Sequence, residues 1–302
     1  MSAHVATVSV GRAETLTSAR GPRPPWQHRL LPTAVLVLGA IYCLIPVTWV
    51  VVAATKTPAE LFSTFTFAPG TRGGLFSNVN DLSTYRSGEY WQWAVNSAIY
   101  AGLGSLLSVA VSAAAGFALA KYRFPGRNAI FTLLLGAVLL PQVALAIPQY
   151  FMLSKLGLAN TYWSVLLPSI LSPYGIYLCR IYAAAAVPDE LVEAARIDGA
   201  SEFRIFRSVA LPTMVPGLVT ALLLQFVAIW NNFLLPYIML ADDRKFPLTV
   251  GLYTMLNQGA DTPALYTLVI TGAMLAVIPL IALFFFLQRY WTVDLVSGTV
   301  KT

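Results

Sequence analysis

Six long apolar stretches constrain this chain more than any other feature. They lie at 31–54, 97–120, 129–151, 162–179, 213–240 and 264–287. Each can cross about 30 Å of hydrocarbon at ~1.5 Å per residue, the fourth only with its flanks helping. Backbone N–H and C=O groups in lipid must pair within their own segment, so the stretches are predicted to be helices. With 57% hydrophobic and 11% charged residues, the expected fold class is an all-α polytopic membrane protein with six transmembrane helices. The second stretch is dense in small residues (Gly102, Gly104, Ser105, Ser108, Ser112, Gly116), a composition that predicts close helix contact.

Basic residues orient the spans. Of the 19 Lys and Arg, thirteen fall on the side holding both termini and the connections after the second and fourth stretches; six fall opposite. The positive-inside rule then puts both termini in the cytoplasm. Residues 1–29 read as a disordered cytoplasmic tail. They are too long and polar for a cleaved signal, because the apolar run that follows is of full spanning length. The membrane-embedded body is 30–288, and 289–302 form a C-terminal tail. Net charge is +6, but it is spread among loops, which argues against nucleic acid as a partner. Cys43 and Cys179 both fall inside stretches, so no disulfide framework is expected. His4 and His28, the two histidines, sit in the N-terminal tail, so no metal site and no bound cofactor are predicted.

The chemistry open to the spans is narrow. No Asp, Glu, Lys, Arg or His lies inside them as bounded above, whereas ion-driven carriers need an ionisable group at depth. No GxxxxGK[ST] loop is present, so nucleotide hydrolysis by this chain is not expected. A catalytic triad or carboxylate pair cannot be built from these residues. The spans do hold amides beside aromatic rings: Gln142 and Gln149 in the third, and Gln225, Trp230, Asn231, Asn232 and Tyr237 in the fifth. An unpartnered amide in hydrocarbon costs on the order of 2–7 kcal/mol, so these groups face another helix or a wet path. Lining a path, they suit a neutral polyhydroxylated solute; joining helices, they are structural glue.

One hydrophilic island, 187–216, interrupts the apolar second half. Pro188 with Asp189 and Glu190 suits a helix start, and Gly199 supplies a left-handed stop. Ser201 caps a second short helix, 202–209, expected to close before Pro212. Leu191 with Ala195, and Phe203 with Phe206 and Ala210, would be the apolar faces. Such a hairpin can lie on lipid headgroups or dock on a partner. The opposite side carries two exposed connections, 55–93 and 241–263, with Trp91 and Trp93 expected to anchor the second helix at the interface.

Glu193-Ala194-Ala195, Asp198-Gly199-Ala200 and Leu211-Pro212 resemble the EAA…G…LP signature loop of ABC-importer permeases, and the likeness extends from the first span to the terminus. The resemblance implies the type I importer permease fold and a loop (187–212) docked in a cleft of a cytoplasmic ATPase dimer. Phe203 and Phe206 would seat it. It also implies a second homologous permease, an extracytoplasmic solute-binding protein, and ATP and Mg bound by the partner ATPase. The membrane would be the cytoplasmic membrane of a bacterium or archaeon. Phe246-Pro247-Leu248-Thr249-Val250-Gly251-Leu252 resembles the outer loop that reaches the binding protein in the maltose-type branch, with Phe246, Pro247, Leu252, Tyr253 and Asn257 as contacts; an ordinary connection is the other reading. Trp230-Asn231-Asn232 is similar to a segment of sugar-type permeases. Gln288-Arg289-Tyr290-Trp291 and the stretch from Ser297 to Lys301 look like that branch's tail, although Val293-Asp294 stands where a glycine is usual. Sugar import is the function so implied. Import of another small polar solute such as glycerol phosphate, a stand-alone facilitator, and a membrane scaffold are the alternatives.

Overall fold

A computed structural model describes residues 27–70, 74–258 and 262–290, mostly helical with no strand among them. The chain divides into two compact units, Met1–Thr48 and Trp49–Thr302. The first contains most of α1 (Gln27–Ala53), which begins three residues inside the stretch read as tail. The rest of that tail, and the terminal stretch from Trp291 onward, lie outside the described residues.

In the second unit the 55–93 connection is built rather than loose. Thr57 and Glu60 form a reciprocal capping box at the start of α2 (Pro58–Ser63), and α3 (Gly74–Thr84) follows. Lys56, read as an outer-loop charge, is 1% exposed. Its ammonium donates to the carbonyls of Phe65 at 2.7 Å and Thr66 at 3.3 Å, which offset the loss of water. The buried Asn78 amide donates to Ala54 and Lys56 carbonyls, knotting the segment.

The long α4 (Glu89–Lys121) packs along α7 (Tyr162–Ile170), α8 (Pro173–Ala186) and α11 (Leu211–Trp230). It starts eight residues before the expected boundary. Trp93 is therefore buried, its indole N–H donating to the Asp243 carbonyl at 3.1 Å. It is a core residue and not the interface anchor expected; Trp91, half exposed, keeps a position compatible with that role. Most of the small-residue stripe is buried as predicted, but Gly102 has nothing within 4 Å of where a Cβ would stand.

Three spans depart from straight rods. The third is two helices, α5 (Arg127–Val138) and α6 (Gln142–Lys155), bent by 106°. Pro141 sits at the break, where its missing N–H and fixed φ stop the ladder. The fourth breaks between α7 and α8, because Ser172 precedes Pro173 and is pushed to extended backbone. It then runs on to Ala186, seven residues past the expected end. The fifth stops at Trp230 and resumes as α12 (Leu234–Met239).

Between α8 and α11 stand α9 (Asp189–Ile197) and α10 (Glu202–Ile205). After α12 come α13 (Leu248–Gln258) and α14 (Pro263–Leu287). Among the described residues five helices are long and apolar enough to cross a membrane, or six when the bent pair is counted as one broken span. Two apolar clusters hold the unit: one around Tyr90, Trp93, Tyr100 and Trp230, the other around Phe117, Cys179, Ile205 and Met214.

Candidate functional site

The signature loop is built from local signals. Asp189 and Glu190 occupy the first turn of α9, and α9 ends in a 6→1 bond from Ala200 N–H to the Ala195 carbonyl at 3.0 Å, closed by Gly199 at φ +77°. Ser201 caps α10 by accepting from the Arg204 N–H. The second helix does not close before Pro212. It passes through a π turn, Phe206–Ala210, in which the Leu211 N–H bonds to the Phe206 carbonyl, and continues as α11. The wider turn accommodates the donor that Pro212 lacks, so Leu211 and Pro212 lie inside one continuous rod. Across the elbow the Arg196 guanidinium bonds both Glu202 oxygens at 2.9 and 3.3 Å.

The apolar faces agree with expectation only in part. Val192, Ile205 and the expected Ala210 are buried, and the expected Phe206 turns inward against Phe117, ring centroids 5.6 Å apart. Leu191, Ile197 and Phe203 point away, with Phe203 71% exposed. Glu193, Ala194 and Asp198 are exposed, and Ala195 and Ala200 partly covered. The Lys121 ammonium holds the Asp189 carboxyl below its ordinary range. That tie is thus fully present above the ordinary aspartate range and is released as pH falls through the lowered value.

The breaks in three spans meet at a cavity of about 430 Å³. It brings together Gln142 and Gln149 of α6, Gln225 of α11 and Asn232 at the α11–α12 break, beside Ser172 and Tyr174 at the α7–α8 break. Irregular backbone at membrane depth is tolerated where it lines such a space. Gln225 also donates to the Ser108 hydroxyl at 2.9 Å; the side-chain amides of Gln142, Gln149 and Asn232 make no hydrogen bond within the described chain. The other three residues expected on the path lie elsewhere. Trp230 is 6% exposed, donates to the Ala276 carbonyl and stacks on Phe226. Asn231 caps its own helix through the Val227 carbonyl. Tyr237 stacks on Phe233 in a ring cluster with Tyr253.

Among the described residues no charged side chain lines the cavity. A cation does lie well inside the fourth spanning segment. Because α8 runs to Ala186, Arg180 is inside it, its guanidinium 3.7 Å from the Phe131 ring centroid and its Nε buried without a hydrogen-bond partner. The span boundary at Cys179 had left it outside. Among the described residues no group of three or more His, Cys, Asp or Glu could hold a metal ion.

The 241–247 segment, expected as a protruding loop, is a strap tied to α4. Asn96 donates to the Arg244 and Phe246 carbonyls at 2.8 and 3.0 Å, Tyr100 to the Lys245 carbonyl, and Ser97 accepts from the Leu248 N–H. Pro247 is buried and Phe246 and Leu252 are partly buried, which leaves Tyr253 and Asn257 exposed. Sequence reading missed Asn96, although a lone Asn immediately before the apolar second stretch is a usable signal. Asn96→Leu is expected to destabilise the chain by about 2 kcal/mol, since two part-buried carbonyls lose the donor that the buried Asn96 supplies. Thermal melting in detergent, with proteolysis of the strap, would check this.

Residues 108–292 match the family "Binding-protein-dependent transport system inner membrane component". The arabinooligosaccharide transport permease AraQ of Halalkalibacterium halodurans is 36% identical, over 87% of this chain and 92% of its own length. The lactose transport permease LacG of Rhizobium radiobacter is 32% identical over 89% and 94%. The sn-glycerol-3-phosphate transport permease UgpE of Salmonella typhi is 31% identical over 87% and 94%. A chain in the crystal structure of a bacterial ABC transporter that imports the acidic polysaccharide alginate superposes with TM-score 0.76 at 22% identity, covering 90% of this chain and all of that one. Spans, signature loop and relatives agree: this chain belongs to the binding-protein-dependent transport system inner-membrane components, the multi-pass permease subunits of ABC importers.

Proposed function

We propose that this chain forms half of the path by which an ATP-driven importer takes up a neutral sugar or oligosaccharide. The observation that carries the reading is the cavity, where three span breaks gather four amides, of which only Gln225 has a hydrogen-bond partner among the described residues, and no described charged side chain. Amides exchange hydrogen bonds with hydroxyls and Tyr174 offers a ring, the recognition a sugar needs. The glycerol-phosphate alternative is disfavoured on the same ground, because a phosphate calls for Lys or Arg in its site.

Both termini and the signature loop are read as cytoplasmic from the Lys and Arg distribution. The loop docks on a separate ATPase, which binds the ATP and Mg. Leu191, Ile197 and Phe203 give it an apolar seat, and Glu193 an acid for a basic ATPase residue. A second permease supplies the other half of the path. On the opposite side, the exposed Tyr253 and Asn257 of α13 meet an extracytoplasmic binding protein. Closure of the ATPase dimer then moves both docked loops together and reopens the path outward.

Purification and reconstitution test this. The chain is expected to copurify with an ATPase and a second permease, and vesicles holding all components to take up an oligosaccharide with ATP and binding protein present. Brisk uptake by vesicles of this chain alone, without ATP, would establish the facilitator instead. Uptake of glycerol phosphate in preference to any sugar would refute the substrate class.

A further inference from the structure

We propose that α4 is a transmission arm, clamped to the signature loop at one end and to the outer strap at the other, so that the loop's position is reported directly across the membrane. This rests on the loop being the ATPase-docking element.

At the loop end three contacts converge on the last turns of α4. The Lys121 ammonium meets the Asp189 carboxylate at 2.6 Å, at the entry to the loop. The Lys121 side chain is 7% exposed and that of Asp189 76%, so a largely buried stem delivers its charge to a surface acid. Tyr122, the next residue, lies 5.6 Å under the Arg196 guanidinium, which in turn holds Glu202 across the elbow. Phe117, one turn earlier, packs on both Phe206 and Tyr122, centroids 5.6 and 5.4 Å away. Entry, elbow and exit of the loop are therefore all gripped by α4 and its C-terminal cap Tyr122, which are distant from the loop in sequence. An exposed pair adds little stability, so its main consequence is mechanical: the loop cannot pivot about Val187 without pulling on α4.

Higher on the same helix, Ser108 accepts from the cavity residue Gln225. At the far end Trp93, Asn96 and Tyr100 hold the carbonyls of the strap. A 33-residue helix spans ~50 Å, the full depth of a bilayer, as one continuous rod. Displacement at Lys121 therefore bears on the cavity and the strap together, and strap occupancy bears back on the loop with the same coupling.

The test uses the complete importer in proteoliposomes, with uptake and ATP hydrolysis measured together. Lys121→Asp is expected to lower solute taken up per ATP hydrolysed by roughly tenfold, a typical coupling magnitude, with the ATPase copurifying in normal yield. The swap Lys121→Asp/Asp189→Lys is expected to restore the ratio to within about twofold. Asp189→Asn, at an exposed position, provides the same reading should Lys121→Asp accumulate poorly. An unchanged ratio in Asp189→Asn, or a Lys121→Asp defect that the swap does not repair, would overturn the clamp. Failure of the wild-type chain to hold an ATPase would instead remove the docking-loop reading beneath it.

Discussion

Gly199→Val is expected to abolish substrate-stimulated ATP hydrolysis in the reconstituted importer while the chain still inserts in the membrane. The physical cause is confined to the backbone. Gly199 sits at φ +77°, and nothing lies within 4 Å of where its Cβ would stand, so no steric clash contributes. A left-handed conformation costs an ordinary L-residue ~1–2 kcal/mol, and a β-branched side chain is a more severe outlier there. The 6→1 bond closing α9 depends on that conformation, so valine favours a different elbow and misplaces Glu193 relative to Phe203. Asparagine and aspartate tolerate the left-handed region best among non-glycine residues. Gly199→Asn is accordingly expected to keep most coupling, Gly199→Asp less, and Gly199→Val none. Hydrolysis with and without loaded binding protein, measured across the three, reads the order directly. Normal stimulation in the valine variant would show that the elbow geometry does not matter.

Gly116→Val should cost the chain its folded state in detergent, whereas Gly102→Val on the same helix should be tolerated. A Cβ at Gly116 would stand 2.6 Å from the Arg180 amide nitrogen and 2.8 Å from the Cys179 carbonyl carbon. These are backbone atoms of α8 and cannot swing aside, so α4 and α8 would have to separate. Overpacking typically costs ~1–3 kcal/mol, and more where the neighbour is rigid. A Cβ at Gly102 meets nothing within 4 Å. Thermal melting of the two purified variants against wild type checks the contrast: a large drop for one, under a few degrees for the other. Equal behaviour would mean that the α4–α8 approach is not what the small residues serve.

These glycines also show where sequence reading stops. Gly102 and Gly116 belong to one stripe in the sequence, and only the packing of α8 against one of them separates their roles. The same holds for the aromatics. Sequence alone points Trp93 to an interface and Trp230 to a path, and both are core residues hydrogen-bonded to backbone carbonyls. In a soluble helix the polar face betrays the buried one. In a span both faces are apolar, since lipid is as hydrophobic as a core, and periodicity gives no such clue. Gln142, Gln149, Gln225 and Asn232 could be recognised as amides that needed company, but not that they would share one cavity while Asn231, between Trp230 and Asn232, would not.

The amino-acid sequence alone determined the helical class, the number of spans and the two-helix loop stopped at Gly199. Those features follow from bilayer thickness, from the need to pair backbone groups within a segment, and from capping residues that act within one turn. Tertiary structure alone decided where Pro141 and Ser172 break the spans toward a common space. It also decided that α10 runs unbroken into α11, that Phe206 faces Phe117, and that the 241–247 strap is carried by α4. Those outcomes depend on contacts between residues as much as 150 positions apart, which no local pattern encodes.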